Sequence, residues 1–318
     1  MVTPPNGTIV PKFLAASLIS IGLAACATVQ TNQPGAETAS VRTTAPSSGP
    51  AIWSISDEDT TIHLFGFAPV LETGTEWQTE TILTALDTSD LFIIESDNRS
   101  DQAQATMQAL IPQIGLNRDG STLSSKLTDQ ERAEVDAIST TLGAPLAALN
   151  PLKPWLASVQ IGVLAVSNGE FDLVNTPAAQ LSDRASAAGM TIRALEGPTD
   201  LMQIMAEFPS DLQVGMLLHT ARTIRDKPGQ QSEIANAWLA GDVELIGELL
   251  HGEQGAWSSV AIYNAMLVTR NQAWVNEVKS LMAEHEGAIF FSVGLGHFAG
   301  DDSLVGMLEA EGFDVVRR

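Results

Sequence analysis

Leu91-Phe92-Ile93-Ile94 is a continuous apolar run ended by Glu95, and Ala288-Ile289-Phe290-Phe291-Ser292-Val293 is its counterpart far downstream. Short runs rich in branched and aromatic residues suit strands buried on both faces, as the strands of parallel sheets are. Thr60-Thr61-Ile62-His63-Leu64-Phe65, running into Gly66, adds an earlier strand. Thr191-Ile192-Arg193-Ala194-Leu195 and Phe313-Asp314-Val315-Val316 add later ones. Helical stretches separate them: 76–88, one opened by the capping box Thr128-Asp129-Gln130-Glu131, one entered at Pro154, and 177–188, 212–225, 232–250 and 258–283. Strands alternating with longer helices predict an α/β fold. Its mixed, partly parallel central sheet is flanked by many helices, and the N- and C-terminal strands meet in it. Residues 51–318 are expected to form one composite domain.

Composition narrows the partners. Hydrophobic residues make up 44% and charged residues 17% of the 318-residue chain, so its bulk can bury a core and fold. Asp and Glu number 38 against 16 Lys and Arg, which argues against a broad grip on nucleic acid phosphates. The simplest reading of the acidity is a solvated, repulsive surface. The single cysteine, Cys26, rules out a disulfide within the chain.

The amino end reads as an address. Lys12 precedes the uncharged apolar run 13–25, which is shorter than the roughly 20 residues a spanning helix needs and ends in small residues. This is the layout of a signal peptide over residues 1–25. Leu23-Ala24-Ala25-Cys26 resembles the bacterial lipobox, whose cysteine is acylated and becomes the first mature residue. Ala at position 27, rather than Asp, resembles lipoproteins passed to the outer membrane. The expectation is a protein anchored to membrane lipid through Cys26, facing the periplasm or the cell surface. Residues 26–50 are rich in Thr, Gln, Ser, Gly and Pro and read as a tether spanning roughly 25–30 Å.

Three stretches carry a family resemblance. Ala51-Ile52-Trp53 leads to His63-Leu64-Phe65-Gly66-Phe67-Ala68-Pro69; Phe92-Ile93-Ile94-Glu95 is a strand ending in an acid; and Val293-Gly294-Leu295-Gly296-His297-Phe298 is a late glycine–histidine motif. Leu152-Lys153-Pro154-Trp155, Arg193-Ala194-Leu195-Glu196 and Arg270-Asn271-Gln272-Ala273-Trp274 support it. In this order and spacing the chain resembles the TraB/GumN family, whose relatives include the Tiki-type metalloproteases. The resemblance implies a metal-dependent hydrolase with two Gly-x-x-His loops and a glutamate converging at strand ends, holding a divalent transition metal such as Zn, Mn or Co.

On that resemblance His297 and Glu95 are the candidate metal ligands and catalytic groups. A neutral imidazole ligates a metal or moves a proton, and a carboxylate ligates or activates water. The glycines are expected to let the backbone leave its strands sharply. One position departs from the family pattern. Pro69 stands where the first motif has its histidine, and proline offers no ligand atom. His63 lies about 20 Å up the same strand at roughly 3.3 Å per residue, too far to replace it. Asp97, Asp301 and Asp302 are alternative ligands, each also readable as a turn or cap residue.

Arg270 and Asn271 are candidates for substrate binding, with Trp274 stacked one turn beyond Arg270; the plainer reading is an arginine packed on tryptophan. Gly294-x-Gly296-x-x-x-Gly300 is no dinucleotide fingerprint, because only 18 residues follow Gly300, too few for the unit such a turn opens. Two functions stay open. One is a non-catalytic binding or accessory role for a domain with a partly degraded site, with an envelope peptide or protein as partner. The other is an active hydrolase or peptidase using His297, Glu95 and an unrecognised replacement ligand.

Overall fold

The computed structural model describes residues 49–251 and 259–318. The expected signal peptide, Cys26 and nearly all of the tether lie outside the described residues.

The strands are β1 (Ile52–Ser56), β2 (Thr60–Phe67), β3 (Leu71–Glu72), β4 (Leu91–Ser96), β5 (Phe171–Asp172), β6 (Thr191–Glu196), β7 (Gly287–Gly294) and β8 (Val316–Arg317). Six of them form one sheet in the order β6-β4-β7-β2-β1-β8, while β3 and β5 pair separately. Strands β6, β4, β7 and β2 run parallel, β1 is added antiparallel to β2, and β8 is added antiparallel to β1. The two chain ends therefore meet in one mixed sheet, as the sequence predicts. The last strand comes slightly later than expected, where Val316 and Arg317 pair with Ser54 and Trp53.

Helices α1 (Glu80–Asp87), α2 (Asp101–Ile114), α3 (Asp129–Thr141), α4 (Leu146–Leu149), α5 (Pro154–Ser167) and α6 (Pro177–Ala187) precede β6. Helices α7 (Asp200–Glu207), α8 (Ser210–Asp226), α9 (Gln230–Leu239), α10 (Val243–His251), α11 (Val260–Tyr263) and α12 (Thr269–Glu284) lead to β7, and α13 (Leu304–Ala310) follows it. No helix among the described residues is long and apolar enough to cross a membrane.

Alternation along the strands makes two cores. Phe65, Phe67, Phe92 and Phe290 pack with Trp77 and Trp238 on one face, while Leu64, Ile93, Phe291 and Val293 pack with Trp274, Phe298 and Leu304 on the other. A third core, around Leu123, Val135, Ile161 and Leu217, belongs to the middle helices α3, α4, α5 and α8.

Local chemistry accounts for the departures from the helix expectations. Helix α1 starts four residues late because Thr79 caps it through Ile82 N and Trp77 is drawn into the aromatic cluster with Phe65 and Trp238. The expected helix 232–250 is two helices. Gly241, at φ +67°, ends α9, and its amide returns to the Trp238 carbonyl. Before α12, residues Asn264–Val268 form a π-helical segment.

Candidate functional site

Strands β2, β4, β6 and β7 end along one edge of the sheet, the edge where open α/β sheets bind ligands. Phe67 of β2 pairs with Gly294 of β7, so Pro69 and His297 leave neighbouring parallel strands at the same edge. Glu95 lies near the end of β4, and Glu196 ends β6. The structure brings Glu95, Glu196, Arg270, Asn271 and His297 into one network.

Arg270 is its centre. Its Nε and Nη2 donate to Glu196 Oε1 and Oε2 at 2.8 and 2.9 Å, a bidentate pair. Nη2 also donates to Glu95 Oε1 at 2.6 Å, and Nη1 donates to the Met266 carbonyl at 3.1 Å and contacts His297 Nε2 at 3.0 Å. All five N–H groups of the guanidinium are engaged. The Trp274 ring lies 4.8 Å from its central carbon, so the packing of arginine on tryptophan expected from the sequence also holds. Met266 belongs to the π-helical segment, which feeds Arg270 and Asn271 into the first turn of α12.

The tautomer of His297 follows from its neighbours. Asn271 Nδ2 donates to the carbonyls of Asp302 (2.8 Å) and His297 (3.3 Å), so Asn271 Oδ1 is the atom that faces His297 Nδ1 at 2.7 Å. Nδ1 therefore carries the proton, and the lone pair of Nε2 accepts from Arg270. Burial, then the charge of Arg270, then that of His251 hold the imidazole pKa well below its ordinary value, so the ring is neutral. Burial of Arg270 opposes its charge, but Glu95 and Glu196 outweigh it and raise the guanidinium pKa. Burial raises the pKa of Glu196, against the pull of Arg270.

A cleft of about 680 Å³ opens beside this network. Pro69, Phe67, Ile94 and Ile192 supply apolar walls, and Glu95 is the one residue of the ionic network that lines it. Ser292 also lines it, with a buried hydroxyl that has no partner among the described residues. His297 does not line it; its ring lies 4.4 Å from that of Trp274, tilted by 50°, against the opposite core.

The metal reading meets this geometry badly. Pro69 has no donor, His297 Nε2 is taken by a cation, and Glu95 accepts from Arg270 through one oxygen and from the Gly294 amide (2.9 Å) through the other. A divalent ion at these atoms would stand against the Arg270 guanidinium, with only the remaining lone pairs of Glu95, which lines the cleft, open to it. The alternative ligands complete no group of three among the described residues, although Asp97 lines the same cleft as Glu95. Asp97 Oδ1 accepts the amides of Arg99 and Ser100 as a turn residue. Asp302 accepts from the Tyr263 hydroxyl, and Asp301 is exposed at the surface. His63 pairs across β2 with Ser54 and Phe290, well inside the strand.

Two points differ from the sequence reading. Glu196 joins the site without being nominated by the sequence, although as the acid that ends the strand Thr191–Glu196 it repeats the placement of Glu95. The glycines also act otherwise than expected: Gly66, Gly294 and Gly296 adopt no positive φ. Gly66 instead permits close approach, since a Cβ there would lie 2.8 Å from the Phe298 ring and 3.1 Å from the Leu295 backbone.

Sheet order, strand-end acids and a buried histidine define an α/β protein with a crevice at the carboxyl ends of its parallel strands. Residues 51–317 match the TraB/PrgY/gumN family, and the chain belongs to it. No curated protein and no solved structure matches the chain.

Proposed function

We propose that this chain is a lipid-anchored protein of the bacterial envelope whose TraB/PrgY/gumN domain is a non-catalytic binding or accessory module. One observation carries the reading: Arg270 occupies the point toward which Glu95, Glu196 and His297 converge, so a fixed organic cation stands where the family resemblance implies a metal ion. The ionic network then serves as a brace across the strand ends, and the neighbouring cleft, with apolar walls and a few polar groups, takes the ligand, an envelope peptide or protein segment. The lipobox-like Leu23-Ala24-Ala25-Cys26 supports anchoring through Cys26, and the apolar run before it supports export.

Glu196 favours the second reading, an active metal-dependent hydrolase or peptidase. With Glu95 and His297 it supplies three groups around one point, and departure of Arg270 would free them. Elemental analysis of the purified full chain separates the two. The expected result is no stoichiometric transition metal; stoichiometric zinc, manganese or cobalt that disappears in His297→Ala overturns the degraded-site reading, and turnover across a peptide panel then decides for the hydrolase.

A further inference from the structure

Away from the strand ends, a second pocket of about 350 Å³ lies among the middle helices, lined by Arg118, Lys126, Lys153, Pro154, Ser210 and Gln213, among others. Its charge is unusual for this chain. Basic residues are outnumbered 38 to 16 overall, yet three of them gather here against one lining carboxylate, Asp119. Most other basic side chains are paired with carboxylates, but Arg118, Lys126 and Lys153 form no ion pair among the described residues. Among the described residues, Arg118 gives only its Nε to a protein acceptor, the Pro112 carbonyl at 3.1 Å. The one acid is turned to its own loop, accepting the amide and hydroxyl of Ser121 at 3.0 and 2.6 Å.

Two longer helices begin at the same pocket. Helix α5 starts at Pro154 and α8 at Ser210, and neither has a side-chain cap on its first-turn amides. Their positive ends add to the three cations. A buried acceptor adds a further demand. Gln213 is 5% exposed; its Nε2 donates to the Ala206 and Phe208 carbonyls at 3.1 and 2.8 Å, which fixes the amide's orientation. That leaves Oε1 buried without a partner among the described residues, on a side chain that lines the pocket.

We infer that this pocket binds a small phosphate ester that also carries a hydroxyl group. The phosphate oxygens meet Arg118, Lys126 and Lys153, and the hydroxyl donates to Gln213 Oε1. Glycerol phosphate has this chemistry, either as a soluble ester or as the headgroup of phosphatidylglycerol. A volume of about 350 Å³ accommodates such a molecule and excludes a folded partner.

Calorimetric titration of the full chain in neutral detergent, at low salt, tests the assignment. Glycerol 3-phosphate is expected to bind more tightly than inorganic phosphate, which lacks the carbon-borne hydroxyl. The double variant Lys126→Gln/Lys153→Gln should weaken binding by about tenfold or more, the order expected for lost charge-assisted bonds. Its thermal midpoint should hold, since neither lysine has an ion-pair partner to lose. Absence of binding to the unmodified chain, or equal binding to the double variant, overturns the proposal. Competition by phosphatidylglycerol doped into the micelles, against phosphatidylcholine, then identifies the source: displacement of bound glycerol 3-phosphate assigns a lipid headgroup, and retention assigns a soluble ester.

Discussion

Arg270 spends every N–H donor inside the protein, and the network falls apart without it. Replacing it with methionine keeps much of the volume but leaves Glu95 and Glu196 buried without a counter-charge. The expected loss is about 3–5 kcal/mol, read from urea unfolding at pH 7. Arg270→Lys should restore little, because an ammonium has three donors and no fork to hold Glu196 by both oxygens. Pro69→His tests the missing corner. It should bring no gain in zinc affinity in a calorimetric titration while Arg270 holds His297 and Glu95, because two of the three ligands stay engaged. The family resemblance nominated Glu95 and His297, and residue type with helical spacing nominated Arg270 and Asn271. They did not reveal that arginine would lie between the acids and the histidine, because that contact joins β4, β6, α12 and the turn after β7, which meet only in the folded chain.

At the scale of elements, strands were more legible than helices. Apolar runs such as Leu91–Ile94 and Ile289–Val293 declare themselves by hydrophobicity, and burial on both faces is what a central parallel strand requires. The split at Gly241 and the π-helical stretch Asn264–Val268 did not declare themselves, because apolar periodicity runs through both while the backbone changes its hydrogen-bond spacing. Contact between β2 and the turn Leu295–Phe298 makes a sharper prediction. Gly66→Ala forces a methyl against the Phe298 ring and the Leu295 backbone, at an expected cost of about 1–3 kcal/mol in urea unfolding. Trp238→Phe loses the indole bond to the Gly66 carbonyl (2.6 Å) and should cost about 1 kcal/mol for that bond alone.

The whole molecule is acid-sensitive in a definite direction. His63, His219, His251 and His297 all have pKa values lowered by burial, His251 to about 4. The unfolded chain, with histidines near their ordinary value of 6.5, therefore takes up protons first as pH falls. Their stabilisation is complete above that value and is lost as pH falls through the folded values. Glu196 acts in the opposite sense, contributing below its unfolded pKa and losing that contribution as pH rises through its raised folded value. Between pH 7 and pH 5 the histidines should govern, so the urea midpoint is expected to fall, with a shallower slope in His219→Gln. An unchanged midpoint across that range would contradict the burial of these rings.

Strand β7, made from residues 287–294, lies between β4 and β2, both of which are synthesised long before it. During synthesis the earlier strands wait with the middle position empty, and the parallel sheet closes only when nearly the whole chain has emerged. A chain stopped before Gly287 would lose the join between its two halves, so premature termination even near the end should yield an unfolded product and not a slightly shortened one.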